Sequence, residues 1–275
     1  MGPEVITSRA NPLCTHFRKL ASSRAYREET GEFLCDSPKL LREAELWGGE
    51  IHAILYTEGA DLYAFNDAGK DGLIRKVRVS ESVMEAVSPM KTPQGVVFSC
   101  RWSPERLRLP NQMEPGRCLV LDGVQDPGNV GAILRTADAF DCGPVFLLPG
   151  CADLYSPKTL RAAMGVQFRR LIYQCTLGEL DALLKGAGIP LYATALREDT
   201  VDVRDAGLAG CAVVIGSEGR GVSQEVLTLC EKTIKIPMSP RCESLNAAVA
   251  AAVVLWEMAR DDLGKGQGGD PICPI

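Results

Sequence analysis

From Cys118 to Asp262 the chain alternates short apolar runs with amphipathic segments, and no other feature of the sequence limits the fold as much. Strands are predicted at 118–121, 145–148, 170–173, 191–195, 212–215 and 233–236. Helices are predicted at 130–140, 158–164, 180–187, 224–230 and 245–262. Strands and helices in such alternation build an α/β fold, a mostly parallel sheet with helices on both faces.

The stretch before it has a different texture. Residues 11–28 carry Leu13, Phe17, Leu20 and Ala21 at helical spacing, with Arg18, Lys19, Arg24 and Arg27 on other faces, which predicts one helix with a basic side. A strand at FLCDS, a helix at 38–47, strands at IHAILYT and LIRKVRVS, and a last strand entered through Pro-Gln-Gly complete a small α/β unit. Pro104, Pro110 and Pro115 punctuate the join, so the boundary is placed near residue 112, giving domains 1–111 and 112–262. The tail 263–275, rich in glycine, is expected to be disordered.

Composition narrows the function classes. With 46% hydrophobic and 24% charged residues and a mean hydropathy of +0.01, the chain is neither disordered nor a membrane bundle. Its longest apolar run, 247–255, is well short of the roughly 20 residues that span a bilayer. No secretory pattern opens the chain, and a cytoplasmic location is expected. Eleven cysteines without a C-x-x-C pair read as reduced packing residues, and only two histidines, His16 and His52, argue against zinc. The net charge of −5 opposes a nucleic-acid partner at first sight. Residues 1–112, however, hold 15 basic and 15 acidic residues, so the excess lies wholly in the second part, with 15 against 20.

In open α/β sheets ligands gather at the carboxyl ends of strands, which directs attention to three loops. In DPGNVGAILRTADAF, Asp126, Pro127, Gly128 and Asn129 form a turn that opens a helix on which Arg135 lies six residues beyond Asn129, about 240° around. The alternative is an ordinary tight loop with Asn129 as the N-cap and Arg135 in a simple ion pair with Asp138. In VVIGSEGRGVS, Gly216, Gly219 and Gly221 let a ligand approach the backbone, but neither the dinucleotide fingerprint nor the P-loop spacing is present. Glu218 at its tip would repel a phosphate and favours a ligand with cationic or hydroxyl groups. In IPMSPRCESLNAAVAAAV, Ser244 is the expected N-cap, Asn246 in the first turn needs a polar partner, and the small residues that follow imply close packing. Each loop alone is equally compatible with an ordinary turn.

In this order the three segments resemble the motifs of the SpoU branch of the SPOUT RNA methyltransferases, which move a methyl group from S-adenosylmethionine to a ribose 2′-hydroxyl. The resemblance spans 118–262, and SPKTLRAAMGVQFR resembles the family's stretch between the first two motifs. The segment from Ile6 to Ala44 is similar to the family's substrate-binding extension.

The resemblance implies a trefoil-knotted catalytic domain and a homodimer. It implies S-adenosylmethionine held near Thr194, Gly216, Ile236 and Leu245, and a central role for Arg135. A guanidinium is a poor resting base, so Arg135 is expected to clamp an RNA phosphate and stabilise the developing alkoxide. Asn129, Ser244 and Asn246 would orient the ribose, and the RNA phosphate, Glu218 or water would take the proton. The run SPRCESLN stands where the family has a smaller, glycine-containing one, and Arg241 in it is placed to reach RNA. Ribosomal RNA is favoured as substrate; transfer RNA, or a noncatalytic RNA-binding module, is the alternative. Arg18, Lys19, Arg24, Arg27, Lys158 and Arg161 are the expected RNA-binding residues, with Arg75, Lys76, Arg78, Arg169 and Arg170 as further basic clusters.

Overall fold

The structure is a computed structural model and describes residues 5–62, 74–102 and 108–262. By packing, the chain forms two units. The first holds residues up to Leu109 with Asp126–Ala132 and Ala152–Ile172; the second holds the remainder.

In the first unit the order is β1 (Val5–Ile6), α1 (Pro12–Ser22), α2 (Arg24–Thr30), β2 (Glu32–Asp36) and α3 (Pro38–Leu46). After these come β3 (Glu50–Tyr56), β4 (Arg75–Val79), α4 (Glu81–Val87) and β5 (Val96–Arg101). The sheet runs β1-β4-β3-β5-β2, parallel between β3 and β4 and antiparallel on either side of β5. Alternation along β2 sends Leu34 to one face and Phe33 and Cys35 to the other, and both faces are covered. Phe17 and Leu20 of α1 with Val83 and Met84 of α4 bury the first face; Leu40, Leu41 and Ala44 of α3 bury the second.

The single helix expected at 11–28 is broken in two. Ser23 is extended (φ −122°, ψ 114°), and its side chain accepts the Tyr26 N–H, capping α2. Helix α4 was not foreseen, although Ser80 caps it in the ordinary way.

From residue 118 the order is β6 (Cys118–Asp122), α5 (Pro127–Ala139), β7 (Val145–Leu147), α6 (Pro157–Ala163), β8 (Ile172–Gln174) and α7 (Leu177–Ala187). It continues with β9 (Leu191–Thr194), β10 (Val201–Asp202), β11 (Ala212–Gly216), α8 (Gln224–Leu229), β12 (Lys232–Lys235) and α9 (Ala247–Ala259). The seven strands lie in the order β10-β12-β9-β11-β6-β7-β8, and the pairs from β10 to β7 are all parallel. The expected α/β class is met. The tail expectation falls on residues 263–275, outside the described residues.

Two segments of this half pack with the first unit, and charge holds one of them there. Arg27 bonds Asp153, Arg161 donates to Asp36 at 2.8 Å, and Arg169 donates to Glu43 at 2.7 Å. The three pairs join residues 125 or 126 apart in sequence. Apolar contacts follow the same path: Leu160 and Phe168 enter the cluster of Phe33 and Leu41, and Tyr155 stacks on Trp102. The start of α5 lies tight on α6, where a Cβ on Gly131 would stand 2.4 Å from the Ala162 Cβ, so only glycine fits.

Among the described cysteines seven are buried, Cys151 and Cys230 are half-buried, and only Cys242 is exposed. No described helix is long and apolar enough to cross a membrane, and no group of described side chains could hold a metal ion.

Candidate active site

Because β12, β9, β11 and β6 are neighbours and parallel, the loops that follow them leave the same edge of the sheet. Thr194 ends β9, Gly216 ends β11 and Ile236 follows β12 directly, so these three expected residues share that edge.

The loop after β11 is shaped by its glycines. Ser217 and Gly221 exchange backbone hydrogen bonds of 3.0 and 2.9 Å, closing a tight turn with Glu218, Gly219 and Arg220 exposed at its tip. A Cβ on Gly216 would stand 2.1 Å from the Gly221 carbonyl carbon, so the turn closes only over a glycine. The base is pinned by Asp122 at the end of β6, whose carboxylate accepts the Ser223 N–H at 2.6 Å. Nothing in the sequence links two residues 101 positions apart, and Asp122 was not anticipated. Beside it the Cys151 thiol donates to the Leu121 carbonyl at 3.2 Å, and burial pushes its pKa up to about 11.

Thr194 donates its hydroxyl to the Val214 carbonyl at 2.9 Å, fastening β9 to β11. Thr200 closes the loop after β9: it accepts the Arg197 N–H at 2.6 Å and meets the buried Thr233 hydroxyl at 2.8 Å. After β12, residues 237–244 are all exposed, and a turn closes where the Cys242 N–H donates to the Ser239 carbonyl at 2.9 Å.

Two expected caps move. The cap of α9 is Asn246, which accepts the Ala248 and Val249 N–H groups at 2.9 and 3.3 Å; Ser244 is exposed and lies two residues earlier. The start of α5 is served by Asp126, which accepts the Asn129 N–H at 2.9 Å, because Pro127 already occupies the first turn. Asn129 is thus inside the helix, half-buried. Arg135, two turns along, is exposed and makes no ion pair with any described residue, so the alternative pairing with Asp138 is not made.

The expected RNA-binding residues of the first unit divide. Arg18, Lys19 and Arg24 are exposed; Lys158 is exposed too, paired with Asp126 at 2.8 Å. Arg27 serves the interior instead, and Arg161, one-third exposed, is committed to an ion pair. Arg27 is 5% exposed and bonds Asp153 and the Leu20 carbonyl, and Arg161 is held by the buried Asp36. Each has its partner more than a hundred residues away, where no local pattern in the sequence points to it.

The chemistry of this edge suits S-adenosylmethionine. The turn over Gly216 presents backbone rather than side chains, a Cβ on Gly150 would stand 3.5 Å from the Gly123 Cα, and the exposed Glu218 suits a ligand carrying a sulfonium cation and ribose hydroxyls. Thr194, Gly216, Ile236 and Leu245 would hold it.

Comparison with known proteins agrees with this geometry. Residues 116–256 match the model of the SpoU rRNA Methylase family, and residues 11–97 match the MRM3-like substrate binding domain. The chain is 31% identical to the 23S rRNA (guanosine(2553)-2'-O)-methyltransferase RlmP of Bacillus subtilis, over 92% of this chain and 98% of that protein. The crystal structure of an AdoMet-bound rRNA methyltransferase from Sinorhizobium meliloti superimposes with a TM-score of 0.83 at 28% identity, covering 94% of this chain and 98% of the other. The SpoU methyltransferase AviRb from Streptomyces viridochromogenes, in complex with AdoMet, gives a TM-score of 0.79 at 26% identity, covering 92% and 99%. A parallel sheet whose adjacent loops leave one edge, and a family model spanning those loops, lead to one conclusion: the chain belongs to the SpoU rRNA methylase family.

Proposed function

We propose that this protein methylates a ribose 2′-hydroxyl of ribosomal RNA, in the cytoplasm, with S-adenosylmethionine as methyl donor. The observation that carries the reading is the shared edge of β12, β9, β11 and β6, where the residues matching all three motifs emerge. The donor supplies an electrophilic methyl group on a sulfonium; the protein has to position the ribose and take up negative charge.

Arg135 is the residue for that charge. An exposed guanidinium fork without a carboxylate partner among the described residues is ready for an RNA phosphate. As the 2′-hydroxyl loses its proton to that phosphate, to Glu218 or to water, Arg135 stabilises the developing oxyanion. Asn129, Ser244 and Asn246 orient the ribose. Arg18, Lys19, Arg24 and Lys158 bring the RNA to the first unit, and Arg27 and Arg161 do not take part.

The active form is a homodimer knotted through its C-terminal segment. The exposed Val249, Val253 and Trp256, at helical spacing on α9, support the pairing, and the placement of β9 between β11 and β12 supports the knot.

Radiolabelled methyl transfer to ribosomal RNA, with mapping of the modified ribose, tests the reading. Arg135→Ala lowers kcat by about 10²–10³-fold while S-adenosylhomocysteine still binds. Unchanged turnover would remove Arg135 from the chemistry. A wild-type protein that binds RNA but neither binds cofactor nor transfers methyl leaves the noncatalytic module.

A further inference from the structure

The second unit is the acidic one, yet its arginines are not treated alike. Arg117 pairs with Asp262 at 2.7 Å, Arg204 with Asp202 at 2.7 Å, and Arg260 with Glu257 at 2.7 Å. They lie before β6, after the flanking strand β10 and past the end of α9. Arg197, Arg220 and Arg241 follow the central strands β9, β11 and β12, are exposed, and make no ion pair with any described residue. Carboxylates are at hand in sequence: Glu198 and Asp199 follow Arg197, Glu218 shares the turn tip with Arg220 and opposes a phosphate there, and Glu243 lies two residues after Arg241. The arginines nonetheless remain open.

Each also sits in a loop whose backbone is fixed beside it. The Arg197 N–H is taken by the Thr200 hydroxyl at 2.6 Å, and the Arg220 N–H by the Ser217 hydroxyl at 3.2 Å. Arg241 occupies the turn closed by the Cys242 N–H on the Ser239 carbonyl, entered through Pro240. A planar guanidinium on a rigid turn loses less entropy on meeting a phosphate than one on a mobile loop.

We propose that Arg197, Arg220 and Arg241 form a phosphate-binding row along this edge, contacting the RNA backbone on either side of the methylated ribose. The row would let an acidic unit grip RNA by itself, in addition to the basic residues of the first unit. It rests on the methyltransferase reading, because that reading supplies the RNA.

The test is salt-dependent binding to protein-free ribosomal RNA between 50 and about 200 mM KCl, a range over which phosphate contacts show steeply. Replacing all three (Arg197→Gln, Arg220→Gln, Arg241→Gln) is expected to reduce the slope of log K against log salt by about two to three, since each phosphate contact contributes about 0.7–0.9. Binding of S-adenosylhomocysteine stays unchanged. The control is Arg204→Gln with Arg260→Gln, which removes two charges that are already paired and is expected to leave the slope as it was. An unchanged slope in the triple variant overturns the proposal. An equal fall in the control also overturns it, reducing the effect to net charge. If the wild-type protein binds cofactor but no ribosomal RNA, the substrate reading fails, and the row with it.

Discussion

The two packing units use charge in opposite ways. In the first, beside surface pairs such as Arg24 with Glu28, several charged side chains are drawn inward and tied across long stretches of sequence: Arg27 to Asp153, Asp36 to Arg161, Glu43 to Arg169, and Glu32 to both His16 and His52. In the second, the ion pairs are peripheral, while Arg135 on α5 and Arg197, Arg220 and Arg241 in the central loops stay open. The difference teaches that a count of basic residues says little about RNA binding. What matters is which of them face solvent and which are held by a buried carboxylate.

The sharpest way to break the comparison is Arg27→Met. If the pair is structural, Asp153 is left half-buried and unpaired, at a cost of about 3–5 kcal/mol measured by urea unfolding. A variant as stable as the parent would return Arg27 to the surface class.

Glu32 offers a second, slightly smaller effect. Burial alone would raise its pKa, but hydrogen bonds from His16 at 3.0 Å and His52 at 2.9 Å outweigh that and hold the carboxyl down to about 2, against an ordinary 4.5. A pKa depressed on folding contributes stability that is fully present above the unfolded value and is lost as pH falls from 4.5 to about 2. The contribution is about 3 kcal/mol. Thermal melts of wild type and Glu32→Gln should therefore differ at pH 6 and converge toward pH 2. Parallel curves across that window would show that Glu32 is not the group being titrated.

The smallest effect sharpens the comparison. Lys158 and Asp126, like Arg24 and Glu28, form a surface pair of the first unit that resembles those of the second, with side chains 58% and 46% exposed. Lys158→Gln is expected to cost less than about 1 kcal/mol of stability while weakening RNA binding measurably in a filter assay. A larger stability loss would place Lys158 with the interior pairs.

Much of the second unit was legible because hydrophobic periodicity is local. The strand expected at 118–121 runs from Cys118 to Asp122, and the helix expected at 224–230 runs from Gln224 to Leu229. Legibility ended where a local rule had two candidates. Ser244 and Asn246 are both good caps, and only the path of the chain into α9 selects Asn246. Asn129 lost its place to Asp126 for the same reason. The helix over 11–28 divided at Ser23 because the hydroxyl offered α2 its own start. Long-range partnerships were invisible altogether. Asp122 on Ser223, and the pairs that bind residues 153–169 to residues 27–43, depend on distances that no spacing in the sequence encodes.

The cysteines have a practical consequence. A thiol reacts as its thiolate, and burial pushes Cys151 up to about 11 and Cys175, Cys211 and Cys230 up to about 12. At neutral pH such groups hold roughly one part in 10⁴ to 10⁵ of the nucleophile. Toward a maleimide or a mild oxidant, the described part of this cysteine-rich chain behaves as though it had a single thiol, Cys242, next to Arg241. A dye placed there would report, by its own brightness, when RNA reaches that turn.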